Sequence, residues 1–265
     1  MNFSVLMSVY YKDDDNQLFE AIESIINNTV VPNQIVIVVD GKVGCNIQKI
    51  LDLYAETPLF NIIYLESNVG LGNALNIGLS YCKYEVVARM DSDDLCHIDR
   101  FEKQVKYMSD YDIVGGNISE FDKDPLQPYS QRKVPLENDE IIKFSRRRCP
   151  FNHVTVMYKK SQVIAAGGYI GGRNFQEDYY LWIRMLNNRC RSKNIDFNLV
   201  NVRAGSDMLY RRTGCEYAKN EIIVQYNAYN LGFISLFDFI FNSIIRSCTR
   251  LSPIFIKKII YSKLR

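Results

Sequence analysis

The stretch VVARMDSDD, residues 86–94, joins a short apolar run to a cluster of carboxylates. The apolar run has the pattern of a strand buried on both faces, and Asp91, Asp93 and Asp94 follow it directly. A strand that ends in carboxylates places them at the edge where open α/β sheets bind ligands. Because side chains two residues apart on an extended segment face the same way, Asp91 and Asp93 can converge on one target.

Such a pair of carboxylates has a specific chemical use. Two oxygen ligands beside an open position suit Mg²⁺ or Mn²⁺ carrying a diphosphate, because such an ion keeps positions for phosphate oxygens. The alternative is a solvated acidic turn after a strand. Other motifs in the chain are needed to decide between a metal site and such a turn.

Upstream of this stretch, strand patterns alternate with helix patterns. Apolar runs predict strands, and helical spacing predicts helices, at residues 3–10 (strand), 17–27 (helix), 34–39 (strand), 47–55 (helix), 61–65 (strand) and from 73 onward (helix). This alternation is typical of a parallel, doubly wound α/β sheet with right-handed crossovers. Asp40 follows the second strand, where its carboxylate can accept hydrogen bonds from a base or a ribose. A turn aspartate before Gly41 is the alternative.

The stretch NVGLGNALNIG, residues 68–78, places two glycines at the start of a predicted helix. Gly70 and Gly72 allow a tight turn and a close approach of the backbone to a ligand. The stretch matches neither the dinucleotide-binding motif nor the P-loop. Its helix N-terminus can face a diphosphate, and simple packing at a helix start is the alternative.

Downstream of residue 94, the patterns predict a helix at 100–108, a long polar loop at 122–137 and strands at 112–116, 151–158 and 198–202. The basic run KFSRRR, residues 143–148, is explained either by solvated surface or by an anion site, because guanidinium groups bind phosphates bidentately. His153 lies on the predicted strand 151–158, where a lone histidine is more often structural than catalytic.

A second acidic pair, Glu177 and Asp178, stands where helical spacing begins. The dipole and free N–H groups of a helix N-terminus stabilise anions there, although acidic residues also commonly start helices without any further role. Trp182, the only tryptophan of the chain, follows four residues after Asp178 and argues against a purely surface role.

The totals describe an ordinary globular protein. The 265 residues are 47% hydrophobic and 23% charged, and the net charge of +2 does not suit binding of nucleic acid by the whole molecule. Seven scattered cysteines argue for reduced thiols in the cytoplasm and against disulfides or a zinc site. Neither a signal peptide nor an apolar run of about 18 residues is recognisable.

The composition changes near residue 233. A nearly all-apolar segment is followed by lysines and arginines, and no acidic residue occurs after Asp238. A short apolar helix followed by basic amphipathic sequence suits the surface of an anionic membrane. A helix that completes the core or a dimer interface is the alternative.

Together these motifs resemble the family 2 glycosyltransferases of GT-A fold. The motifs SVY, VVDG, NVGLGNALNIGL, MDSDD, NHVTVM, GGY and QEDYYLWIR occur in the family's order over residues 3–214. The closest resemblance is to bacterial O-antigen enzymes that add a β-1,3-linked hexose to GlcNAc-diphospho-undecaprenol. The resemblance implies an α/β fold with a single Rossmann-like, doubly wound mixed sheet and C-terminal amphipathic helices. We expect a nucleotide-sugar half at 1–115, an acceptor half of the same domain at 116–230 and a basic amphipathic segment at 231–265.

The resemblance also implies roles for single residues. Asp178 would be the general base with Glu177 as its neighbour, Asp93 would ligate Mn²⁺ or Mg²⁺, and Asp91 would hold the ribose or share the ion. We assign to the nucleotide sugar Val9, Tyr10, Asp40, Asn68, Gly70, Asn76, Asp91, Arg211 and Arg212. We assign to the acceptor His153, Trp182 and, as a grip on its diphosphate, Arg146, Arg147 and Arg148. The family often has two aspartates where this chain has Val39-Asp40, so the uracil contact would rest on one carboxylate.

The predicted function is therefore metal-dependent, inverting transfer of glucose or galactose from a UDP-sugar to a GlcNAc-diphospho-lipid in O-antigen or surface-polysaccharide synthesis. We expect a cytoplasmic protein, peripheral at the inner face of the cell membrane. Such a displacement needs a carboxylate that takes the acceptor's proton and electrophiles that stabilise the departing diphosphate. A nucleotidyltransferase and a noncatalytic sugar-nucleotide-binding component of a polysaccharide assembly are the alternatives. The first would need a glycine-rich loop with a lysine, which YYKDDDN at residues 10–16 does not provide.

Overall fold

The computed structural model describes residues 1–170, 176–204 and 214–252. Across these ranges the strands are β1 Phe3–Val9, β2 Gln34–Val39, β3 Phe60–Tyr64, β4 Val86–Arg89, β5 Leu95–Cys96, β6 Ile113–Phe121, β7 Ser130–Arg132, β8 Met157–Lys159 and β9 Ser192–Arg203. The helices are α1 Asp15–Ile26, α2 Cys45–Ala55, α3 Leu71–Tyr81, α4 Arg100–Val105, α5 Asn138–Ser145, α6 Lys160–Ala165, α7 Glu177–Asn187, α8 Cys215–Asn230 and α9 Leu236–Leu251, with a 3₁₀ turn at His153–Thr155.

The strands form one mixed sheet in the order β3-β2-β1-β4-β8-β6-β9-β5, with β7 paired to β6. Strands β1 to β4 run parallel where they pair, so the carboxyl ends of β1, β2 and β4 lie at the same edge. Strand β8 is antiparallel to both β4 and β6. The boundary expected between residues 115 and 116 falls inside β6, so both halves share this sheet. The predicted α/β fold with a doubly wound mixed sheet is confirmed.

Both faces of the sheet are covered by helices, as the continuous apolar runs predict. Alternate residues of β1 and β2 are buried on opposite faces, one set against α1 and α2 and the other against α3 and α7. Helix α3 lies close to the sheet because Gly78 has no side chain. A Cβ at that position would lie 2.4 Å from Leu6 Cδ1 and 2.6 Å from Val38 Cγ2.

The predicted strand at 151–158 is wrong over most of its length. Only its last residues join β8, and His153 lies in the 3₁₀ turn. The Thr155 hydroxyl donates to Asn152 O at 2.7 Å and accepts from Gly116 N at 3.1 Å. Such side-chain bonds to the backbone compete with an extended conformation even in an apolar run.

Strands β6 and β9 are longer than predicted. They pair in parallel over nine residues of β6, with register shifts between Gly116 and Ile118. The first half of β9 is polar, which hid it from a search for apolar runs. Asn194 is nevertheless buried, because its side-chain amide donates to Pro135 O and Pro150 O.

Helices α8 and α9 form a hairpin that buries a group of ion pairs beside an apolar cluster. Glu221 on α8 is fully buried and pairs with Arg246 at 2.7 Å and with Arg250 at 2.5 Å. The Arg246 guanidinium also lies 5.2 Å from the ring of Tyr179 on α7, whose hydroxyl donates to Ser145 O. Arg246 therefore joins α9 both to α8, through Glu221, and to α7, through Tyr179. Within the described ranges, none of the helices has the length and hydropathy that crossing a membrane requires.

Candidate active site

The carboxylates after β4 form one cluster at the carboxyl edge of the sheet. Oxygen atoms of Asp91, Asp93 and Asp94 all lie within 4.8 Å of one another. The pairing with β1 continues as far as Met90, whose N–H donates to Leu6 O. The chain turns after this residue, and the Ser92 hydroxyl donates to Asp13 Oδ2 at 2.8 Å. The predicted convergence of Asp91 and Asp93 is present in the structure.

Asp91 is held from two sides. Its Oδ1 lies 2.7 Å from Nη1 of Arg89, which is 1% exposed, and its Oδ2 lies 3.2 Å from His153 Nε2. Burial alone would raise the pKa of Asp91, but the charge of Arg89 and the hydrogen bond from His153 outweigh it and hold that pKa below its usual range. Asp91 is therefore a carboxylate with both oxygens oriented.

The pKa values of two neighbouring acids, Asp94 and Asp13, are shifted in the opposite direction. Burial, together with the charges of Asp93 and Asp91, raises the pKa of Asp94 well above its ordinary value. Burial likewise raises the pKa of Asp13 to about 6, against the hydrogen bonds from Ser92 and the Tyr10 backbone. A divalent cation would relieve this repulsion, and an all-oxygen donor set fits a hard ion such as Mg²⁺ or Mn²⁺. The chemistry of the residues therefore fits the predicted metal.

The aspartate after β2 anchors the glycine loop. Asp40 is 3% exposed, and its carboxylate accepts from Val69 N at 2.7 Å and Gly70 N at 3.0 Å. The Asn68 side chain donates to Asp40 O, and Val9 O accepts from Asp40 N. Four residues assigned to the nucleotide are thus brought together, with Gly70 at a φ of +85° just before α3. The uracil contact itself stays a prediction, since both oxygens of Asp40 already bind backbone amides.

Other residues assigned to the nucleotide lie around this loop or outside the described ranges. The loops after β1 and β2 border a cleft of about 380 Å³, lined by Tyr11, Asp13, Asp15 and residues 44–47. Asn76 donates to Tyr169 O and accepts from Tyr169 N, so its amide holds the turn after α6. Arg211 and Arg212 lie outside the described residues.

The second acidic pair lies in the first turn of α7, as predicted. Asp178 Oδ2 is 3.9 Å from His153 Nδ1, and Asp178 Oδ1 is buried without a hydrogen-bond partner among the described residues. Burial and the charge of Asp178 raise the pKa of Glu177 to about 7. The imidazole of His153 therefore lies between Asp91 and Asp178, where the two halves of the chain meet.

Two acceptor assignments have different outcomes. Trp182 is fully buried, with its ring packed against Phe151, Tyr158 and Tyr169. The predicted contact between Trp182 and an acceptor is wrong, because no part of the indole reaches the surface. The arginines at 146–148 are exposed in the turn after α5, directly beside α9.

Three residues that shape the site were not among the candidates from the sequence. Arg89 was detectable as a charge inside an apolar strand, and Asp13 as an acid in the polar loop after β1. Arg203 at the end of β9 gave no such signal, because its partners come from a distant turn. Its backbone N–H donates to Asp94 Oδ1 at 2.9 Å, and its Nε donates to Asp93 O at 3.2 Å.

Known proteins share both the sequence and the fold. The sequence profile of glycosyl transferase family 2 matches residues 4–175. An Escherichia coli protein named UDP-Gal:alpha-D-GlcNAc-diphosphoundecaprenol beta-1,3-galactosyltransferase is 40% identical over 264 residues, covering 98% of this chain and 95% of the relative. The amylovoran biosynthesis glycosyltransferase AmsE of Erwinia amylovora is 37% identical, covering 98% of each chain.

Two solved structures agree with this fold at low identity. S. aureus TarS in complex with UDP-GlcNAc has a TM-score of 0.64 and 16% identity, over 85% of this chain and 66% of that one. The mannosyltransferase PcManGT from Pyrobaculum calidifontis, in complex with GDP-Man and Mn²⁺, has a TM-score of 0.64 and 15% identity, over 86% and 64%. At these identities the likeness shows the shared fold alone.

Proposed function

Because this chain belongs to glycosyltransferase family 2, we propose that it transfers a hexose from a UDP-sugar to a GlcNAc-diphospho-lipid with inversion, forming a β-1,3 linkage. The observation that carries this proposal is the 40% identity to the Escherichia coli galactosyltransferase over 98% of the chain. Galactose is therefore the first candidate for the donor sugar. O-antigen or exopolysaccharide repeat-unit synthesis is the corresponding process.

The arrangement of carboxylates supports a single displacement at the anomeric carbon. Asp178, in the first turn of α7, is the base that accepts the proton of the acceptor hydroxyl. Glu177 is the second candidate: burial and the charge of Asp178 raise its pKa to about 7, but the ion-pair contact with His153 belongs to Asp178. His153 lies between Asp178 and the donor-side carboxylate Asp91, an arrangement that supports a base on the side opposite the leaving group.

The donor-side carboxylates serve the diphosphate. Asp93 and Asp94, with Asp91 beside them, would hold a Mg²⁺ or Mn²⁺ ion. When bound, such an ion acts as a Lewis acid that stabilises the departing UDP. Arg203 fixes the backbone of this turn from β9, so the ligands are oriented before any ion arrives.

The experiment that tests the proposal is transfer to a synthetic GlcNAc-diphospho-lipid from UDP-galactose, UDP-glucose and UDP-GlcNAc, with Mn²⁺ and with EDTA. We expect product from UDP-galactose that is lost in EDTA, and NMR of the product should give a β-1,3 linkage. A noncatalytic sugar-nucleotide-binding protein would bind UDP and give no product from any donor. Product formation that is unchanged in EDTA would contradict the metal assignment.

The acceptor's lipid favours a place for the protein at the membrane surface, and α9 has a surface suited to it. The face of α9 that points away from the protein consists of Leu236, Phe237, Ile240, Phe241, Ile244 and Ile245, which are 41% to 70% exposed. We call this the outer face of α9. A helix with an apolar face toward solvent and basic neighbours suits the interface of an anionic bilayer.

The arginines at 146–148 border this outer face. Arg146 O accepts from Asn242 on α9, Arg147 O accepts from Arg246, and the Arg147 guanidinium lies 5.4 Å from the Phe241 ring. Guanidinium groups at the edge of an apolar surface are suited to lipid phosphates and to the diphosphate of a lipid-linked sugar. We therefore keep these arginines as the proposed grip on the acceptor's diphosphate.

Charges on the outer face of α9 should weaken membrane binding. For the double variant Ile240→Glu/Ile244→Glu we expect binding to phosphatidylglycerol-containing vesicles to fall at least about tenfold, because two exposed isoleucines that would enter the bilayer are replaced by charges that anionic lipids repel. Cosedimentation measures this directly. Leu53→Glu on α2, where the leucine is 64% exposed, is the matched control and should bind like the wild type. Equal binding of the double variant and the control would contradict a membrane role for α9.

A further inference from the structure

One imidazole lies between the two carboxylates of the proposed reaction. His153 Nε2 is 3.2 Å from Asp91 Oδ2, and its Nδ1 is 3.9 Å from Asp178 Oδ2. An ionised carboxylate only accepts hydrogen bonds, so Nε2 carries the proton that binds Asp91. The same ring therefore has one nitrogen toward the donor side and the other toward the base.

The position of this ring is fixed by the backbone around it. The 3₁₀ turn at His153–Thr155 is held by Thr155 N and its hydroxyl, which both donate to Asn152 O. The side chain of Asn152 in turn donates to Gly116 O on β6. Directly after the turn, Val156 O accepts from Arg89 N on β4. The turn is thus joined to two strands, one of which leads into Asp91.

A buried cation supports the other side of Asp91. The guanidinium of Arg89 is 1% exposed and lies 2.7 Å from Asp91 Oδ1, while His153 occupies Oδ2. Asp91 therefore cannot rotate without breaking a contact on one side. Among the described residues, His153 is the group within ion-pair distance of Asp178, and the charge of Arg89 acts on Asp178 from farther away. A shift of the ring would break its contact with one of the two carboxylates.

We propose that His153 is a positioning residue that sets the distance and orientation of the base Asp178 relative to the donor-side carboxylate Asp91. This inference rests on the proposed function, which makes Asp178 the base. It changes the role given to His153 from a contact of the acceptor to a spacer between the two sides of the reaction. The acceptor hydroxyl then enters beside the ring, within reach of Asp178.

The test compares His153→Ala and His153→Gln in the transfer assay, with UDP affinity measured by calorimetry in Mn²⁺. We expect His153→Ala to lower kcat by about 10- to 100-fold, the cost of a slightly misplaced catalytic group. KM for the UDP-sugar and the affinity for UDP should stay within about threefold of wild type, since the donor contacts remain. The amide of Gln can still donate to Asp91, so His153→Gln should recover most of the lost kcat.

The chain offers a matched control in its other histidine. His97 is as exposed as His153, at 36% of its side chain, and likewise contacts an aspartate, with Nδ1 2.7 Å from Asp99. His97→Ala should transfer at the wild-type rate. Unchanged kcat in His153→Ala would overturn the inference, and so would an equal fall in kcat and UDP affinity, which would place His153 in donor binding. No transfer by the wild type would instead overturn the proposed function, so the two failures are distinguishable.

Discussion

Asp178→Asn should lower transfer by about a thousandfold, in the middle of the range for a well-placed general base. Asn has the size of Asp but cannot take a proton from the acceptor hydroxyl. The substitution also removes the negative charge of Asp178, which lies 3.9 Å from His153. UDP affinity in Mn²⁺ should remain within about threefold of wild type, because the donor-side carboxylates are untouched. Single-turnover transfer and calorimetry measure the two quantities on the same preparation.

Glu177→Gln is the control for this prediction. Glu177 lies one residue before Asp178 in the first turn of α7, but the ion-pair contact with His153 belongs to Asp178. Loss of the Glu177 carboxylate should therefore cost much less than loss of the Asp178 carboxylate. If Glu177→Gln lost activity and Asp178→Asn kept it, the base would be Glu177. A parallel loss of UDP binding in Asp178→Asn would place that residue on the donor side instead.

Asp93→Asn should have the complementary effect. UDP affinity in Mn²⁺ should fall at least about tenfold, since even the outer partners of a metal carry 10- to 100-fold in its affinity. Transfer should fall further, because the bound ion would also stabilise the leaving group. In EDTA, by contrast, the variant and the wild type should bind UDP equally weakly, because the difference between them lies in metal binding.

Asp110→Asn provides the control for Asp93→Asn, because Asp110 is an exposed carboxylate after α4. Its UDP affinity should respond to Mn²⁺ as the wild type does. A variant of Asp93 that still gains affinity on adding Mn²⁺ would show that this carboxylate is not a ligand of the ion. Asp91 and Asp94 would then be the remaining candidates.

Much of the fold follows from local patterns. The apolar runs of β1 and β2 predict these strands to within a residue, because strands buried on both faces need continuous apolar side chains. The same holds for the acidic end of β4 and for the start of α7. Because β1, β2 and β4 are parallel where they pair, it could also be expected that Asp40 and the acidic cluster lie at the same edge of the mixed sheet.

The features that the sequence did not predict depend on contacts between distant parts of the chain. Trp182 was misread because helical spacing does not show which face of α7 meets the core. His153 was placed on a strand because hydrogen bonds from Thr155 to the backbone are invisible in an apolar pattern. For α9 the sequence predicted a short apolar helix suited to a membrane surface, but not that its few polar residues would form its buried side. That orientation depends on Glu221, which lies on a different helix.

The buried ion pairs of the hairpin have a practical consequence for anyone who wants a variant of this protein without the proposed membrane binding. Cutting the chain before α9 would leave Glu221 without Arg246 and Arg250, and would remove the cation stacked on Tyr179, the residue next to Asp178. A shortened protein would then lose contacts that hold α7, together with the proposed membrane-binding face. Placing charges on the outer face of α9 keeps these contacts, so it is the sounder way to remove the proposed membrane binding.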